Sequence, residues 1–197
     1  MHRINLLDTY EKLLKQYGKQ NWWPIKYNFR PKELEICVGA ILTQNTNWNN
    51  VEKVLSKLNE AKCLSIKDFL KVDQKQLEEY IKSSGFFKQK TERLKILIEF
   101  INGFGSFDKF IKNVKREDLL KIKGIGPETA DSILLYACSK PYFVIDAYTK
   151  KLCNHINIKI EGNYEGYRLF FEKNLPKDIE LYKEFHALTV QAGKNKF

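Results

Sequence analysis

Apolar side chains recur at helical spacing along most of this chain, and that periodicity restricts the fold more than any other feature of the sequence. Around residues 5–17, for instance, Leu6 and Leu13 fall on one helical face, and Gly18 follows as a stop signal. The segment PYFVI, residues 141–145, reads as extended, and it is short. The pattern therefore predicts an all-α protein.

Residues that favour helix starts mark several further helices. Pro31 suits the first turn of one helix, Thr46 or Asn47 can cap the next, and Asp73 can cap another. Beyond the helices that begin near Pro31 and Asn47, the predicted helices lie near 66–72, 74–83, 94–101, 116–123, 127–139, 147–156, 164–174 and 178–194. The sequence contains no internal repeat and no low-complexity tract.

The chain of 197 residues carries a formal net charge of +10. A surface this basic attracts polyanions over a screening length of roughly 8–10 Å, so nucleic acid is the leading candidate partner. Charge alone leaves open an acidic membrane surface or a general enrichment in lysine. Because no long apolar run is present and the N-terminal apolar stretch is interrupted by charges, we expect a soluble, intracellular protein without a membrane partner.

The four cysteines are scattered, without a close pair or a metal-ligand spacing; they are Cys37, Cys63, Cys138 and Cys153. Cys37 and Cys138 lie among apolar residues and are expected to be small buried side chains. The number and spacing of the cysteines fit a reducing compartment and predict no metal site.

Two glycines around one apolar residue, with a helical pattern on each side, form the most informative local motif. Gly124 and Gly126 permit a positive φ and a close backbone approach, and Ile125 between them is expected to pack back onto the helices. Pro127 suits the first turn of the second helix. The free N–H groups at that helix start can bind a phosphate, aided by the helix dipole.

Lys121 and Lys123 add positive charge beside this motif. An ordinary turn between two helices would also contain such glycines, so the motif alone leaves both interpretations open. Together with the adjacent lysines and the net charge, the glycine motif favours a hairpin that binds the DNA backbone without recognising its sequence.

The hairpin and the residues that follow it resemble a known signature. LLKIKGIGPETADSILLYA followed by FVIDAYTKKL resembles the helix-hairpin-helix and catalytic-aspartate signature of the endonuclease III superfamily of DNA glycosylases. Three more segments resemble parts of that family, namely EICVGAILTQNTNWNNVEKVL, SSGFFKQKTERLKIL and FHALTVQAGKNKF. The resemblance covers nearly the whole chain in the family's order.

This resemblance implies a two-lobed all-α fold. A central multi-helix domain at 31–138 would hold the hairpin, and a second domain would combine 1–30 with 139–197, with DNA crossing between them. The resemblance also implies a monomer that acts on double-stranded DNA containing a damaged base. Such an enzyme is expected in the cytoplasm, associated with the nucleoid.

Asp146 comes directly after the extended segment. Its residue type alone favours a helix N-cap over catalysis. The resemblance places Asp146 on the family's catalytic aspartate, where a fixed carboxylate stabilises the positive charge that develops on the sugar as the glycosidic bond breaks. The same group can orient or deprotonate the attacking water.

Glu128 stands where bifunctional members of the family carry a lysine, just after the hairpin glycines. A carboxylate cannot form the imine that precedes strand cleavage. Lys121 and Lys123 lie before the hairpin and are poor substitutes. The resemblance therefore implies a monofunctional DNA glycosylase without lyase activity.

The three tryptophans, Trp22, Trp23 and Trp48, lie in segments that resemble pocket-forming parts of the family. Tryptophan is more often a core residue, but stacking on a flipped base contributes roughly 1–3 kcal/mol. We therefore expect a base-stacking role in the pocket for Trp48 and for at least one of Trp22 and Trp23. With Glu128 in place of the lysine, these residues resemble the 3-methyladenine glycosylase branch, whose cationic substrates favour electron-rich rings.

Three more positions take their roles from the resemblance. Gln44 matches a side chain inserted into the gap left by the flipped base, and Phe86 is placed like the apolar wedge on the opposite strand. Lys194 matches a lysine that can approach the base pocket of related enzymes. Glu128 is also assigned to this pocket. Core packing is the alternative for Phe86, and plain surface charge is the alternative for Lys194.

Many family members end with four cysteines that hold an iron–sulfur cluster. This chain reads NKF where that pattern would begin, and Phe197 stands near the place of the first cysteine. No cluster and no other cofactor is therefore predicted. Two other functions stay open, namely the same fold acting on oxidised pyrimidine, uracil or mismatched thymine, and a hairpin protein that binds DNA without turnover.

Overall fold

The computed structural model describes residues 5–195, so the expectation for Phe197 falls outside the described part of the chain. Within residues 5–195 the chain forms twelve α-helices and no β-strand, which confirms the all-α prediction. They are α1 (Leu6–Tyr17), α2 (Glu33–Leu42), α3 (Trp48–Glu60), α4 (Ile66–Lys71), α5 (Gln74–Ile81), α6 (Phe87–Asn102), α7 (Phe107–Asn113), α8 (Arg116–Leu120), α9 (Pro127–Ser132), α10 (Ala147–His155), α11 (Tyr164–Asn174) and α12 (Ile179–Lys194). None of these described helices has the length and apolar character needed to cross a membrane.

Helix caps form where the residue types predict them. The Asn47 side chain accepts a hydrogen bond from the backbone N–H of Asn50 at 3.0 Å, which selects Asn47 over Thr46 as the cap of α3. Asp73 caps α5 by accepting from the N–H of Lys75 at 2.9 Å. These predictions are confirmed because a short polar side chain at a helix start satisfies N–H groups that have no partner within the helix.

Two local features differ from the helices predicted by periodicity. The seven-residue helix α7 is absent from the prediction, because so short a helix shows little periodicity; it buries Phe107 and Phe110. The helix expected at 127–139 is α-helical only as far as Ser132 and continues as a π-helical segment at Ile133–Ala137. Every residue of that π-helical segment is buried.

The central compact unit of the chain is Ile25–Cys138. Its core surrounds α2, which is buried from Leu34 to Leu42 and packs against the π-helical segment, α6 and α3. The backbone N–H groups of Lys26 and Tyr27 donate to the Glu35 carboxylate at 3.0 and 2.9 Å. These hydrogen bonds tie the residues just before α2 to this unit.

The other compact unit combines residues 5–24 with residues 139–195 of the described chain. Helices α1 and α10 both pack on α12. An aromatic cluster fills this core, in which the rings of Phe143 and Phe171 stack with centroids 4.5 Å apart and Phe185 packs against both. The predicted extended segment 141–145 forms neither helix nor strand, and Phe143 anchors it in this core.

A buried ion pair joins α8 to α9 within the central unit. Arg116 donates from Nε to Asp131 Oδ1 at 2.6 Å and from Nη2 to Asp131 Oδ2 at 3.1 Å. Asp131 is completely buried, and Arg116 is 8% exposed. Because an isolated buried charge is costly, this two-point contact fixes the two helices that flank the glycine hairpin.

Candidate active site

Asp146 is the N-cap of α10 and lies in the unit built from the two ends of the chain. Its Oδ1 accepts hydrogen bonds from the backbone N–H of Thr149 at 2.7 Å and from the Thr149 hydroxyl at 2.9 Å. The capping role expected from residue type is therefore confirmed. The Asp146 side chain is 14% exposed, so the carboxylate is mostly covered but not sealed from solvent.

The second oxygen of the Asp146 carboxylate faces His186 of α12. His186 Nε2 lies 3.6 Å from Asp146 Oδ2. Burial raises the pKa of Asp146, but the imidazole of His186 and the hydrogen bonds from Thr149 outweigh it and leave the pKa below its ordinary value. The Asp146 carboxylate is therefore ionised at neutral pH. His186 was not among the predicted site residues, because a lone histidine in an apolar helix belongs to no motif.

Helices α10 and α12, which carry these two side chains, also approach closely at Tyr148 and Gly193, about two turns along α12 from His186. A Cβ built on Gly193 of α12 would lie 2.9 Å from Cγ of Tyr148 in α10. Glycine at this position therefore makes room for the Tyr148 ring. This contact helps to fix the relative position of Asp146 and His186.

Trp22, Trp23 and Lys194 belong to the same unit as Asp146. The rings of Trp22 and Trp23 are half-buried, with centroids 5.3 Å apart and an interplanar angle of 47°. Lys194 ends α12 and is exposed. The assignment of these three side chains to a base pocket stays a prediction.

The glycine hairpin lies between α8 and α9 of the central unit. Gly124 has a φ of +84°, and a Cβ built on it would lie 2.6 Å from Cδ of Arg93. Ile125 is 4% exposed and packs inward, as the sequence predicts. Gly126 is the N-cap of α9, directly before Pro127. Glycine is therefore required at position 124 both by the backbone conformation and by the space that Arg93 occupies.

Lys121 and Lys123 are exposed beside the hairpin. Lys121 Nζ lies 3.6 Å from Asp118, and Lys123 Nζ lies 2.8 Å from Glu92. Exposed pairs of this kind contribute little stability, so their ammonium groups can exchange a carboxylate for a phosphate at small cost. Their contact with DNA stays a prediction.

Gln44 follows α2 and is hydrogen bonded to the hairpin. Its Nε2 donates to the carbonyl of Gly124 at 3.1 Å and to the hydroxyl of Thr129 at 3.0 Å. Its Oε1 accepts from Nη1 of Arg93 at 2.5 Å. The insertion of Gln44 into DNA stays a prediction, and it would break these three hydrogen bonds. Arg93, which both packs on Gly124 and orients Gln44, was not predicted.

A cavity of about 230 Å³ opens beside Gln44 in the central unit. Glu128 contributes to its lining from the first turn of α9, where its side chain is exposed. The cavity is lined by Ala40, Thr43, Gln44, Asn45, Arg93, Glu128, Thr129 and Ser132. Glu128 therefore presents a carboxylate at this cavity, and its assignment to a base pocket stays a prediction.

Phe86 and Trp48 are the remaining predicted site residues of the central unit. Phe86 is 63% exposed and lies just before α6 with a φ of +46°, so its side chain does not belong to the core. Trp48 is the first residue of α3 and is half-buried. The wedge role of Phe86 and the pocket role of Trp48 stay predictions.

Residues 5–195 contain candidate metal ligands and cysteine thiols. Among residues 5–195, no group of three or more His, Cys, Asp or Glu side chains is arranged to hold a metal ion. Burial raises the pKa of Cys63 to about 12 and that of Cys153 to about 11. Neither of these two thiols is therefore a nucleophile at neutral pH.

Known proteins resemble the chain in sequence. Residues 38–177 match the model of the HhH-GPD superfamily of base excision DNA repair proteins. A protein of Methanocaldococcus jannaschii that carries a provisional assignment as a DNA repair glycosylase is 44% identical over 192 residues. That match covers 94% of this chain and 85% of the relative.

Solved structures resemble the chain in fold. The crystal structure of the H. pylori 3-methyladenine DNA glycosylase MagIII bound to 1,N6-ethenoadenine matches with a TM-score of 0.88 and 32% identity, over 98% of this chain and 99% of that one. A trapped covalent intermediate of endonuclease III with DNA matches with a TM-score of 0.78, over 96% of this chain and 85% of that one. At 19% identity, the second match shows likeness of fold alone.

Replacement of Gly124 by alanine should destabilise the hairpin. A non-glycine residue at positive φ costs about 1–2 kcal/mol, and the added Cβ would also displace Arg93 from Gln44. Gly124→Ala should therefore lower the free energy of unfolding by about that amount, measured by urea denaturation without DNA. Gly126→Ala is the matched control, because Gly126 has a φ of −87° and open space around its Cβ position. Equal losses in the two variants would contradict this account.

Proposed function

Because this chain belongs to the HhH-GPD superfamily of base excision DNA repair proteins, we propose that it is a monofunctional glycosylase that excises an alkylated purine such as 3-methyladenine. The chain is a DNA glycosylase of base excision repair, and this role places it with the DNA. The finer assignment concerns its substrate and its nucleophile. The single observation that carries the excision chemistry is the ionised carboxylate of Asp146, held by Thr149 and faced by His186.

The fixed carboxylate of Asp146 suits the departure of a base. As the glycosidic bond lengthens, positive charge develops on the deoxyribose, and a nearby negative charge in a largely covered site lowers that barrier. Both Thr149 hydrogen bonds reach Oδ1, so they hold the carboxylate in place without neutralising it. In the proposed reaction Asp146 also orients the water that attacks C1′ of the sugar and accepts its proton. The glycosidic bond breaks, and the base leaves with the bonding electrons.

Water rather than an amine is the proposed nucleophile. Glu128 occupies the hairpin position at which lyases of the superfamily carry lysine, and it lines the cavity beside Gln44. Lys121 and Lys123 lie before the hairpin and form ion pairs with carboxylates of the central unit. A carboxylate at position 128 supports hydrolysis without an imine intermediate.

An alkylated purine is the proposed lesion class. Such a base forms a cationic nucleoside whose glycosidic bond is already weak, so the site needs little polar contact with the leaving group. The rings of Trp22, Trp23 and Trp48 are only half-buried and could stack on a flipped cationic base. The similar H. pylori protein is a 3-methyladenine DNA glycosylase, which supports the same class of substrate.

Base release from a panel of duplexes tests the lesion class, and Asp146→Asn tests the carboxylate. Methylated purine should be released faster than oxidised pyrimidine, uracil or mismatched thymine, measured by chromatography of free bases.

Asp146→Asn should slow release by at least about 100-fold, because the amide carries no charge, while the variant still binds damaged DNA. Asp73→Asn is the matched control, since Asp73 is also a helix N-cap and lies in the other unit. Preferred release of another base would contradict the lesion class, and a fully active Asp146→Asn would contradict the role of the carboxylate.

Borohydride trapping tests the proposed nucleophile. The wild-type protein should form no covalent adduct with its damaged duplex in the presence of borohydride, since no amine stands at position 128. Glu128→Lys is the matched gain-of-function variant, and adduct formation by this variant alone, on denaturing gels, is the expected result. A wild-type adduct through any lysine would refute monofunctional hydrolysis.

The pH dependence of excision tests the pairing of Asp146 with His186. The pKa of Asp146 lies below its ordinary value, so excision should persist until the pH falls into the acid range and then decline as Asp146 is protonated. His186→Gln removes one cause of the lowered pKa, so the acid limb of the single-turnover rate should move to higher pH. His155→Gln is the control, because His155 is exposed at the end of α10. The same acid limb in both variants would count against a role for His186.

A further inference from the structure

A lysine is buried in the central unit, where lysine is rarely found. Lys90 of α6 is 1% exposed, and its Nζ donates hydrogen bonds to the carbonyl of Leu42 at 2.8 Å and to the carbonyl of Ser84 at 2.7 Å. Burial lowers the pKa of Lys90 to about 8. Because desolvation of an ammonium group is costly, these two strong hydrogen bonds account for its place in the core.

The two carbonyls that Lys90 contacts lie at corresponding points of two loops. Leu42 is the last residue of α2, two residues before Gln44. Ser84 ends the 3-10 turn at Lys82–Ser84, two residues before Phe86. One ammonium group therefore joins the starts of both loops that carry the predicted DNA-inserting side chains.

The same helix supports these loops at two further points. The backbone N–H of Lys90 donates to the carbonyl of Phe86 at 3.0 Å, in the first turn of α6. Arg93, one turn after Lys90, donates to Oε1 of Gln44. Helix α6 thus contacts the backbone of both loops and the side chain of one of them.

From this geometry we propose that Lys90 is a positioning residue that sets the separation of Gln44 and Phe86, so that the two side chains enter DNA as one unit when a nucleotide is extruded. The inference rests on the proposed function, and it adds a residue that the superfamily resemblance did not supply. Lys90 does not contact DNA in this account. It acts through the carbonyls of Leu42 and Ser84.

The test measures insertion directly, without a damaged base or a bond-breaking step. The probe is a duplex that contains one tetrahydrofuran abasic-site analogue with 2-aminopurine opposite it on the other strand. Entry of the wedge should unstack the 2-aminopurine and raise its fluorescence. The amplitude is read at saturating protein, so a change in affinity alone does not alter it.

Lys90→Met should reduce the saturated amplitude by about twofold or more, because small misplacement of a positioned group has large effects. Lys95→Met is the matched control: Lys95 also lies on α6, and its Nζ donates to the carbonyl of Val72 at 3.0 Å, in a loop without a predicted wedge. The control should retain the wild-type amplitude. Phe86→Ala gives the amplitude expected for a lost wedge.

Circular dichroism establishes that each variant is folded. If Lys90→Met does not fold, Lys90→Gln replaces it under the same criterion, since its amide can still donate to one carbonyl and should give an intermediate amplitude. Equal amplitudes for the position 90 and position 95 variants would overturn the inference. Wild-type binding without a rise in fluorescence would also overturn it, whereas the proposed function is decided separately by the base-release assay.

Discussion

The close fit of Arg93 against Gly124 is the constraint on which the hairpin surface depends. Gly124 leaves no side chain in the space that Arg93 fills, and its positive φ turns the chain between α8 and α9. Arg93 in turn orients Gln44, whose amide reaches back to the Gly124 carbonyl. The hairpin, α6 and the loop after α2 therefore form one hydrogen-bonded arrangement, and the Arg116–Asp131 pair holds the two hairpin helices beneath it.

Asp146 combines a structural role with the proposed catalytic one by dividing them between its two oxygens. Oδ1 caps α10 through Thr149, and Oδ2 faces His186. The two donors of Thr149 are neutral, so capping fixes the carboxylate of Asp146 and leaves most of its negative charge uncompensated. The capping interaction that the residue type predicts thus supplies the rigidity that charge stabilisation requires.

Positive charge serves two different purposes in this protein. The exposed lysines, including Lys121 and Lys123, contribute to a net charge of +10 that attracts a polyanion whatever its sequence. Lys90 and Arg116 are buried and bind protein carbonyls or a carboxylate. The first group acts at long range and is screened by salt, whereas the second group fixes the geometry of loops and helices.

The sequence by itself determined the helical fold, the hairpin glycines, the cap at Asp146 and the carboxylate at Glu128. Each of these depends on residue type and on spacing within one short segment, which local backbone chemistry decides. The tertiary structure alone decided that His186 faces Asp146 and that Arg93 supports Gln44. Lys90 lies on the same buried face of α6 as Leu94, where helical periodicity predicts an apolar side chain. These contacts join residues far apart in the chain, and their hydrogen bonds exist only once packing brings the helices together.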